Sequence, residues 1–543
     1  MPTSTRSGYD VIPASSRTQE IFAPAFAVAH QRRAMAKKHI KGYYPATFHK
    51  HLVKQIPSLG LEEANDQRGF VYLSWGCQSS RYDHASLSRE GYKFVPYQII
   101  HTLFNRGRNR SRWITINRRL EMFEVMNYDV HHGEARAYRP TPKVMDAYLT
   151  YSEAYPVTGD PIELIDVNTG KAVAKLTGNA ILSKDFKNRT TVTQQRGKME
   201  PWCPVNVGEM IGAEQLLQTI RTQVHQGRHN EALTEQLQFF GWGDFEHRDL
   251  PRWIDLRLVN CAHILHQTNT TVCPKGSMPS RYTEYESGRL YPYTYPHLQT
   301  VPRELKRVAL AGCWEYDFSN CHFSLFVQMT DRLGYQAEHI HDYIDRKAEV
   351  RKLIAHDTGL TIEQVKESLL ALVYGASSRQ GKANPYFSKN SILDICGFDG
   401  GKHHRLVTHP LFKGIAQDLE AGRELLIDDA PKSRGRIRNA MGKYIDRSKR
   451  KSQKLAHLLQ GAEAMCLNTI LRHYGDRIIL LQHDGWNTTE RLNVGEAEHW
   501  IAKETGFEMQ IEEELLPVDG LQARWERWSE NDPESGAYKS TCQ

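Results

Sequence analysis

Two aspartates that follow short apolar segments place the strongest constraint on how this chain folds. Asp317 lies in the strand-like stretch Trp-Glu-Tyr-Asp-Phe at 314–318, which a helix-like apolar run follows. Asp484 comes soon after the apolar residues 478–481, and Gly485 next to it indicates a turn. A carboxylate at the end of a buried strand is destabilised unless it has a partner, and a divalent cation can serve two of them. We therefore predict a two-metal site built from Asp317 and Asp484.

The composition is that of a globular protein with several cores. The chain has 543 residues, of which 40% are hydrophobic and 24% charged, so we expect three or four subdomains. Its nine cysteines are scattered without a C-x-x-C pair, which argues against a zinc module or a disulfide framework and favours a reducing compartment. We see neither an apolar leader nor a run of about 18 apolar residues. We expect a soluble intracellular protein without a membrane partner, cytoplasmic or associated with a virus or plasmid, with an organelle as a further option.

Basic residues interleaved with aromatic ones indicate nucleic-acid contacts near the start of the chain. In residues 1–60 such residues either contact a phosphate backbone or form a solvated arm, and both interpretations stay open. Residues 104–113 alternate arginines with small polar residues between two aromatic ones. Guanidinium groups pair with phosphates and stack on bases, which favours a nucleic-acid groove over a solvated loop. The contacts we predict there are Arg108, Arg110 and Arg112.

Two further motifs precede the Asp317 strand in a fixed order. They are Ser-Gly-Arg-Leu-Tyr at 287–291 and Pro-His-Leu-Gln-Thr-Val-Pro at 296–302. In this order the chain resembles the family A (polymerase I-like) DNA polymerases, whose motifs T-G-R-L and P-N-L-Q-N-I-P come before the first catalytic strand. The resemblance covers about residues 285–490. It implies that Arg289 and Gln299 contact nucleic acid.

A helix predicted from Thr361 onward carries a second part of this resemblance. Thr361 and Gln364 form a capping-box pattern, and Lys366, Leu370 and Tyr374 share one helix face. The fingers helix of family A polymerases and of the related single-subunit RNA polymerases has a lysine eight residues before Tyr-Gly, and the same spacing occurs here. By resemblance, Lys366 contacts the incoming triphosphate and Tyr374 lies at the base-pair pocket. An ordinary amphipathic helix is the alternative.

The chain departs from the family pattern at two positions. The family has an arginine four residues before the lysine, where this chain has Ile362, so we expect Arg351, Lys352 or Arg379 to contact the phosphate instead. Gly485 stands where a second carboxylate often follows the His-Asp motif. The predicted metal ligands are therefore the two aspartates and, by resemblance, the backbone carbonyl of Phe318.

A basic run at 432–454 leads into Leu-Leu-Gln-Gly-Ala-Glu at 458–463. The second segment resembles the Q-G-x-A-A-D helix of the family, which implies that Gln460 lies against the primer-template minor groove. The basic run is either a phosphate track, insensitive to sequence, or a solvated face. The nucleic-acid contacts predicted in this part of the chain are Arg447, Lys451, Gln460 and His483.

Two residues bear on the choice between deoxyribose and ribose. His322 lies five residues after Asp317, where the DNA enzymes carry a glutamate that excludes ribose, and an imidazole can do the same. Leu370 replaces an aromatic residue common in the DNA enzymes and is closer to the RNA enzymes. The Gly-Arg-Leu, Leu-Gln and Gln-Gly elements favour DNA.

We therefore expect an α+β fold with the right-hand polymerase architecture of palm, fingers and thumb, preceded by a mixed α/β region. The predicted divisions are 1–150, a basic region with nucleic-acid contacts; 151–280, a mixed strand and helix region that is thumb-like; 281–345, the first part of the palm; 346–430, the fingers; 431–525, the second part of the palm; and 526–543, a disordered tail.

The function that the resemblance implies is template-directed nucleotidyl transfer, first of all by a DNA-directed DNA polymerase without a proofreading exonuclease. It would use two Mg²⁺ ions, with Mn²⁺ as an alternative, and would act on primer-template DNA, or RNA, and nucleoside triphosphates. A single-subunit RNA polymerase or primase is the first alternative. An inactive nucleic-acid-binding replication protein is the alternative of another class.

Overall fold

The structure, a computed structural model, is a mixed helix and strand protein, as the α+β expectation requires. It describes residues 42–76, 93–95, 100, 103–104, 112–126, 136–155, 159–176, 180–182, 199–228, 231–242, 250–292, 297–376, 391–524 and 526. The predicted contacts Arg108, Arg110 and Arg379 lie outside these residues, as do most of the basic N-terminal segment and nearly all of the predicted tail.

In chain order, the helices of the described residues are α1 (Ala46–Gln55), α2 (Ala64–Gly76), α3 (Arg112–Leu120), α4 (Pro142–Ala154), α5 (Val207–His225), α6 (Glu231–Phe239), α7 (Leu250–Thr268), α8 (Arg303–Ala309), α9 (Cys321–Asp331), α10 (Glu338–Asp345), α11 (Lys347–Thr358), α12 (Ile362–Val373), α13 (Ser391–Ile395), α14 (Gly400–Thr408), α15 (Pro410–Asp429), α16 (Lys451–Tyr474) and α17 (Val494–Thr505). Short 3₁₀ helices span Pro57–Leu61 and Leu298–Thr300. Among the described helices, none combines the length and the hydropathy needed to cross a lipid bilayer.

The strands are β1 (Tyr43–Pro45), β2 (Lys93–Val95), β3 (Phe123–Met126), β4 (Arg136–Pro140), β5 (Leu164–Asp166), β6 (Ile181–Leu182), β7 (Trp202–Pro204), β8 (Ser277–Pro279), β9 (Tyr282–Glu284), β10 (Leu290–Pro292), β11 (Trp314–Phe318), β12 (Lys432–Ser433), β13 (Arg436–Arg438), β14 (Tyr444–Asp446), β15 (Ile478–Leu481), β16 (Gly485–Thr488) and β17 (Ile511–Leu515). The strands predicted before the two aspartates are therefore present as β11 and β15.

The chain divides into two compact units. The described residues of the first, which we name the helical unit, lie in His322–Arg438 and Ile445–Leu459. Those of the second, the sheet unit, lie in Val28–Cys321, Asn439–Tyr444 and Gln460–Gln543. The six divisions expected from the sequence stay a prediction.

A four-stranded antiparallel sheet, in the order β15-β16-β11-β17, lies in the sheet unit. Successive side chains of a strand point to opposite faces. On one face the rings of Tyr316 and Trp486 stack at 5.5 Å with an interplanar angle of 10°, and Phe318 packs edge-on against Trp486. Glu315 and Asp317 consequently point to the other face. The sheet thus has an aromatic side and an acidic side.

Two long helices, α5 and α7, share a core with residues at both edges of this sheet. Leu216 of α5 and Ile254 and Leu258 of α7 are buried in the same cluster as Leu480 of β15. Leu516, directly after β17, belongs to that cluster as well. The apolar faces of α5 and α7 therefore pack in the same core as β15, the strand that leads to Asp484.

Helix α12 of the helical unit begins at the predicted capping box. The Thr361 hydroxyl accepts a hydrogen bond from the Gln364 backbone N–H at 3.1 Å, and the Gln364 side chain accepts one from the Thr361 N–H at 2.9 Å. The helix ends at Tyr374 and Gly375, which has a φ of +85°. A Cβ on Gly375 would lie 2.2 Å from the Cβ of Ser452, so both the conformation and the close approach require glycine.

Trp486 provides a test of how far the aromatic side stabilises the sheet unit. Trp486→Ala removes a fully buried ring that contacts Tyr316 and Phe318. We expect it to lower the free energy of unfolding by about 3–5 kcal/mol, measured by urea titration followed by circular dichroism. Leu61→Ala, at a side chain that is 86% exposed, is the control and should change stability little. Equal stability of the two variants would contradict this role of Trp486.

Candidate active site

Asp317 and Asp484 lie on neighbouring chain segments at one end of the acidic side. Asp317 is the last residue of β11 that pairs with β16, and its partner on β16 is Gly485. The Phe318 N–H donates to the carbonyl oxygen of Asp484 at 3.1 Å, and the Gln482 N–H donates to the carbonyl of Gly485 at 2.8 Å. The first hydrogen bond joins the two aspartate segments, and the second closes the tight turn that carries Asp484.

Gly485 is required by the closeness of the two strands. A Cβ at this position would lie 2.4 Å from the backbone oxygen of Tyr316 and 3.1 Å from Oδ1 of Asp317. No real Cβ makes a contact as short as the first, so a larger residue would push β11 and β16 apart. An acidic side chain therefore cannot occupy position 485 in the observed sheet.

Three further carboxylates surround Asp317, and the sequence analysis did not identify them. Glu512 of β17 is the register partner of Asp317, and Glu315 is two residues away on the same side of β11. The third, Glu463 of α16, is fully buried. The three consecutive glutamates in Ile-Glu-Glu-Glu-Leu at 511–515 would place Glu512 and Glu514 on the same side of any strand formed there. The pairing of that strand with β11 is not readable from the sequence.

The electrostatics of Asp317 follow from this arrangement. Its pKa is raised well above the ordinary range, first by desolvation and then by repulsion from Asp484, Glu315, Glu512 and Glu463. The side chain is nevertheless exposed at the sheet surface, and water there reduces the desolvation contribution relative to that of a fully enclosed acid. Every charge that shifts this pKa is negative. The position therefore favours the approach of a cation.

Neutral and basic groups hold the flanking glutamates in place. The Ser319 hydroxyl donates to Glu512 at 2.6 Å, and the Gln482 side-chain amide donates to Glu315 at 2.8 Å. Arg307 donates to Glu315 at 3.3 Å and also pairs with Glu514. These contacts orient the acidic side around Asp317.

The donor set suits a hard divalent cation. Asp317 and Asp484 offer carboxylate oxygens on adjoining segments, and Mg²⁺ and Mn²⁺ both accept such ligands. The carbonyl oxygen of Phe318 stays a predicted ligand.

Arg289 has a protein partner within the sheet unit. Its guanidinium, 6% exposed, pairs with the carboxylate of Glu463, which is 0% exposed, and the Nε–Oε1 distance is 2.6 Å. The residue before it, Gly288, has a φ of +99°, and a Cβ there would lie 2.8 Å from Cγ of Met441. The predicted nucleic-acid contact of Arg289 stays a prediction, and any such contact would have to share or displace Glu463.

The other predicted contacts of the sheet unit differ in their surroundings. Gln299 lies in the 3₁₀ helix Leu298–Thr300 and is buried, and neither atom of its side-chain amide has a hydrogen-bond partner among the described residues. Gln460 is half-buried. His483 lies in the turn between β15 and β16, and its ring contacts that of Tyr291 with the centroids 5.1 Å apart.

The helical unit places the predicted nucleotide contacts along α12 and at the start of α9. Lys366 is 43% exposed and pairs with Glu363 at 3.3 Å. Leu370 is 37% exposed, one turn further along the same face. The rings of His322 and Tyr374 lie edge to face, with centroids 5.3 Å apart. Two of the predicted residues are thus in direct contact, although 52 positions separate them.

Arg351 and Lys451, two of the phosphate contacts predicted in the helical unit, have protein partners. Arg351 donates from Nε to the hydroxyl of Tyr343 at 2.9 Å, and Lys451 pairs with Glu424. Arg447 is exposed, with its backbone N–H bonded to Gly435. Arg112 is the first residue of α3, in the sheet unit. The roles of all four stay predictions.

Comparison with known proteins gives structural similarity without a sequence match. No protein-family model matches the chain, and no curated protein matches it. One matching solved structure is the POL domain of Pol1 from M. smegmatis in complex with DNA primer-template and dNTP, with a TM-score of 0.35 and 15% identity, covering 60% of this chain and 68% of that chain. A similarity at this level transfers no residue roles.

The Arg289–Glu463 pair can be tested by a double-mutant cycle. Arg289→Met removes the guanidinium that pairs with the fully buried Glu463 carboxylate, and we expect it to lower the free energy of unfolding by about 3–5 kcal/mol. Arg289→Met combined with Glu463→Leu removes both charges and should recover most of that loss. Urea titrations of the single and double variants measure the coupling. A double variant that is no more stable than Arg289→Met would contradict the structural role of this pair.

Proposed function

We propose that the chain is a template-directed nucleotidyltransferase, and specifically a DNA-directed DNA polymerase with palm, fingers and thumb that lacks a proofreading exonuclease. The observation that carries the proposal is the adjacency of Asp317 and Asp484, whose segments are joined by the Phe318–Asp484 backbone hydrogen bond. The two aspartates are 167 residues apart in the sequence, so this adjacency is a property of the fold and not of local chain geometry.

Transfer of a nucleotidyl group needs charge neutralisation at the attacking 3′-oxygen and at the leaving pyrophosphate. A pair of Mg²⁺ ions, when bound, supplies this neutralisation and lowers the pKa of the attacking hydroxyl. Asp317 and Asp484 would hold the ions through their carboxylate oxygens. The negative field of Glu315, Glu512 and Glu463, which raises the pKa of Asp317, would favour cation binding at that position.

The nucleotide-binding role proposed for α12 rests on an exposed face of the helix. Lys366 is positioned by Glu363 but remains accessible, and a lysine ammonium is a suitable point charge for a triphosphate. Tyr374, packed against His322, would contribute an aromatic surface for the base pair. We retain 281–345 and 431–525 as the two parts of the palm and 346–430 as the fingers.

A single-subunit RNA polymerase or primase is the second candidate, and Leu370 is the observation that favours it. Its aliphatic side chain is partly exposed on the face of α12 that carries Lys366, where a DNA enzyme commonly has an aromatic residue. A protein that only binds nucleic acid is less well supported, because it has no need for two acids held together against their mutual repulsion.

Replacing either aspartate tests the proposed reaction. Asp317→Asn and Asp484→Asn keep the side-chain shape but remove the charge, so we expect incorporation to fall by about a hundredfold or more while binding of primed duplex persists. The assay is primer extension with Mg²⁺, and separately with Mn²⁺, with dNTPs and NTPs supplied in separate reactions. Asp160→Asn, at an exposed acid of the same unit, is the matched control. Wild-type protein that extends no primer with either nucleotide pool would refute the proposal.

His322 should influence the choice of sugar. His322→Gly removes the imidazole that packs on Tyr374, and we expect the preference for dNTP over NTP to weaken as space opens beside the 2′-position. The measurement is the ratio of kcat/KM values for the two nucleotides on one primed template. His341→Gly, at an exposed helical histidine of the same unit, controls for the loss of a side chain in a helix. An unchanged ratio in His322→Gly would remove this residue from sugar selection.

A further inference from the structure

The strand that leads to Asp484 lies at the edge of its sheet, and a tyrosine hydroxyl occupies that edge. The Leu481 N–H donates to the hydroxyl oxygen of Tyr282 at 2.8 Å, and the same hydroxyl donates to the Leu481 carbonyl at 3.3 Å. Because β15 is the outermost strand in the order β15-β16-β11-β17, these two backbone groups face away from β16. One side chain therefore satisfies both polar groups of a residue three positions before Asp484.

Tyr282 itself is held rigidly. It begins β9, the middle strand of the sheet β10-β9-β6, and its side chain is 0% exposed. The Ser280 hydroxyl donates to the Tyr282 oxygen at 3.2 Å, and the ring of His297 packs edge-on against the tyrosine ring at 4.8 Å. A hydroxyl has one proton to donate and two lone pairs, and all of them are used. Burial also raises the pKa of Tyr282, so the hydroxyl keeps the proton that it donates to Leu481.

The chain between Leu481 and Asp484 has little freedom to move. The Gln482 N–H bonds to the Gly485 carbonyl, and the Phe318 N–H bonds to the Asp484 carbonyl, so the turn is held on the side of β16 and on the side of β11. The bonds to Tyr282 add a third attachment, on the opposite edge. The contact between Tyr291 and His483 is made by β10, which pairs with β9. The ribbon of β9 and β10 thus fixes the outer side of the turn.

We propose that Tyr282 is a positioning residue for Asp484: its hydroxyl anchors the edge strand so that the Asp484 carboxylate is held beside Asp317. The effect of Tyr282 on catalysis rests on the proposed function. Its effects on the order of the turn in metal-free protein and on metal affinity can be measured without that function. Tyr282 touches neither aspartate in the described contacts and acts through Leu481.

Tyr282→Phe tests the anchor, because it removes the hydroxyl and keeps the buried ring. The matched control is Tyr148→Phe, a tyrosine of the same unit that is equally buried and whose hydroxyl has no hydrogen-bond partner among the described residues. In metal-free protein we expect the amides of residues 481–485 to exchange hydrogen about tenfold faster in Tyr282→Phe than in wild type or Tyr148→Phe. Exchange rates that match between the two variants would overturn the proposal.

Metal affinity and kinetics separate positioning from a general loss of stability. We expect Tyr282→Phe to bind Mn²⁺, followed by electron paramagnetic resonance, about tenfold more weakly than Tyr148→Phe. In primer extension, kcat should fall by about tenfold at low Mg²⁺ and recover at high Mg²⁺, with the KM for dNTP within about twofold of wild type. A loss of activity that high Mg²⁺ does not restore, or an unchanged Mn²⁺ affinity, would overturn the role of Tyr282.

The same measurements distinguish this inference from the proposed function. Wild-type protein that binds Mn²⁺ but incorporates no nucleotide would refute the polymerase proposal, and the exchange and affinity differences would still support the anchor. Wild-type protein that binds no Mn²⁺ would overturn the proposed function and the effect of Tyr282 on metal affinity, and the exchange rates of the metal-free protein would then decide the anchor.

Discussion

The close approach of β11 and β16 is the constraint on which the candidate site depends. It brings the end of one strand against the turn that follows another, and it is possible only because position 485 has no side chain. The Phe318–Asp484 hydrogen bond forms at this point, so the backbones of the two aspartate segments are connected directly. The two segments are thereby held by strand pairing and by a tight turn rather than by flexible loops, which is a condition for a preorganised metal site.

This geometry concentrates like charge. Asp317 and Glu315 point to the same side of β11, Glu512 and Glu514 continue that side on β17, and Asp484 adds its charge from the turn. Some of the repulsion is offset locally, since Arg307 pairs with Glu315 and Glu514 and Ser319 bonds to Glu512. The repulsion at Asp317 remains. A cation that binds only the folded protein would relieve it and stabilise the sheet unit by mass action.

The features that the sequence predicted correctly depend on residues that are close together in the chain. The capping box of α12 depends on residues three positions apart, and the strands before Asp317 and Asp484 are visible as short apolar runs with a turn residue behind one of them. What it missed depends on contacts between distant segments. Glu463 is 174 positions from Arg289, and the relation of Glu512 to Asp317 exists only through the pairing of β17 with β11. For the same reason the sequence did not show that the guanidinium of Arg289 pairs with Glu463.

The packing of β11 between β16 and β17 determines both which residue can follow Asp484 and which acid lies opposite Asp317. If position 485 carried an acidic side chain, β11 and β16 would separate, and Phe318 could no longer bond to Asp484. Part of the negative charge beside Asp317 comes from the neighbouring strand β17, which places Glu512 at the register position directly opposite. Glu512 and the Asp317 carboxylate then share one side of the sheet, and Glu512 contributes to the raised pKa of Asp317. The strand order of the sheet determines which acidic side chains lie next to Asp317. The charge of the site therefore depends on the sheet and not on the His-Asp motif alone.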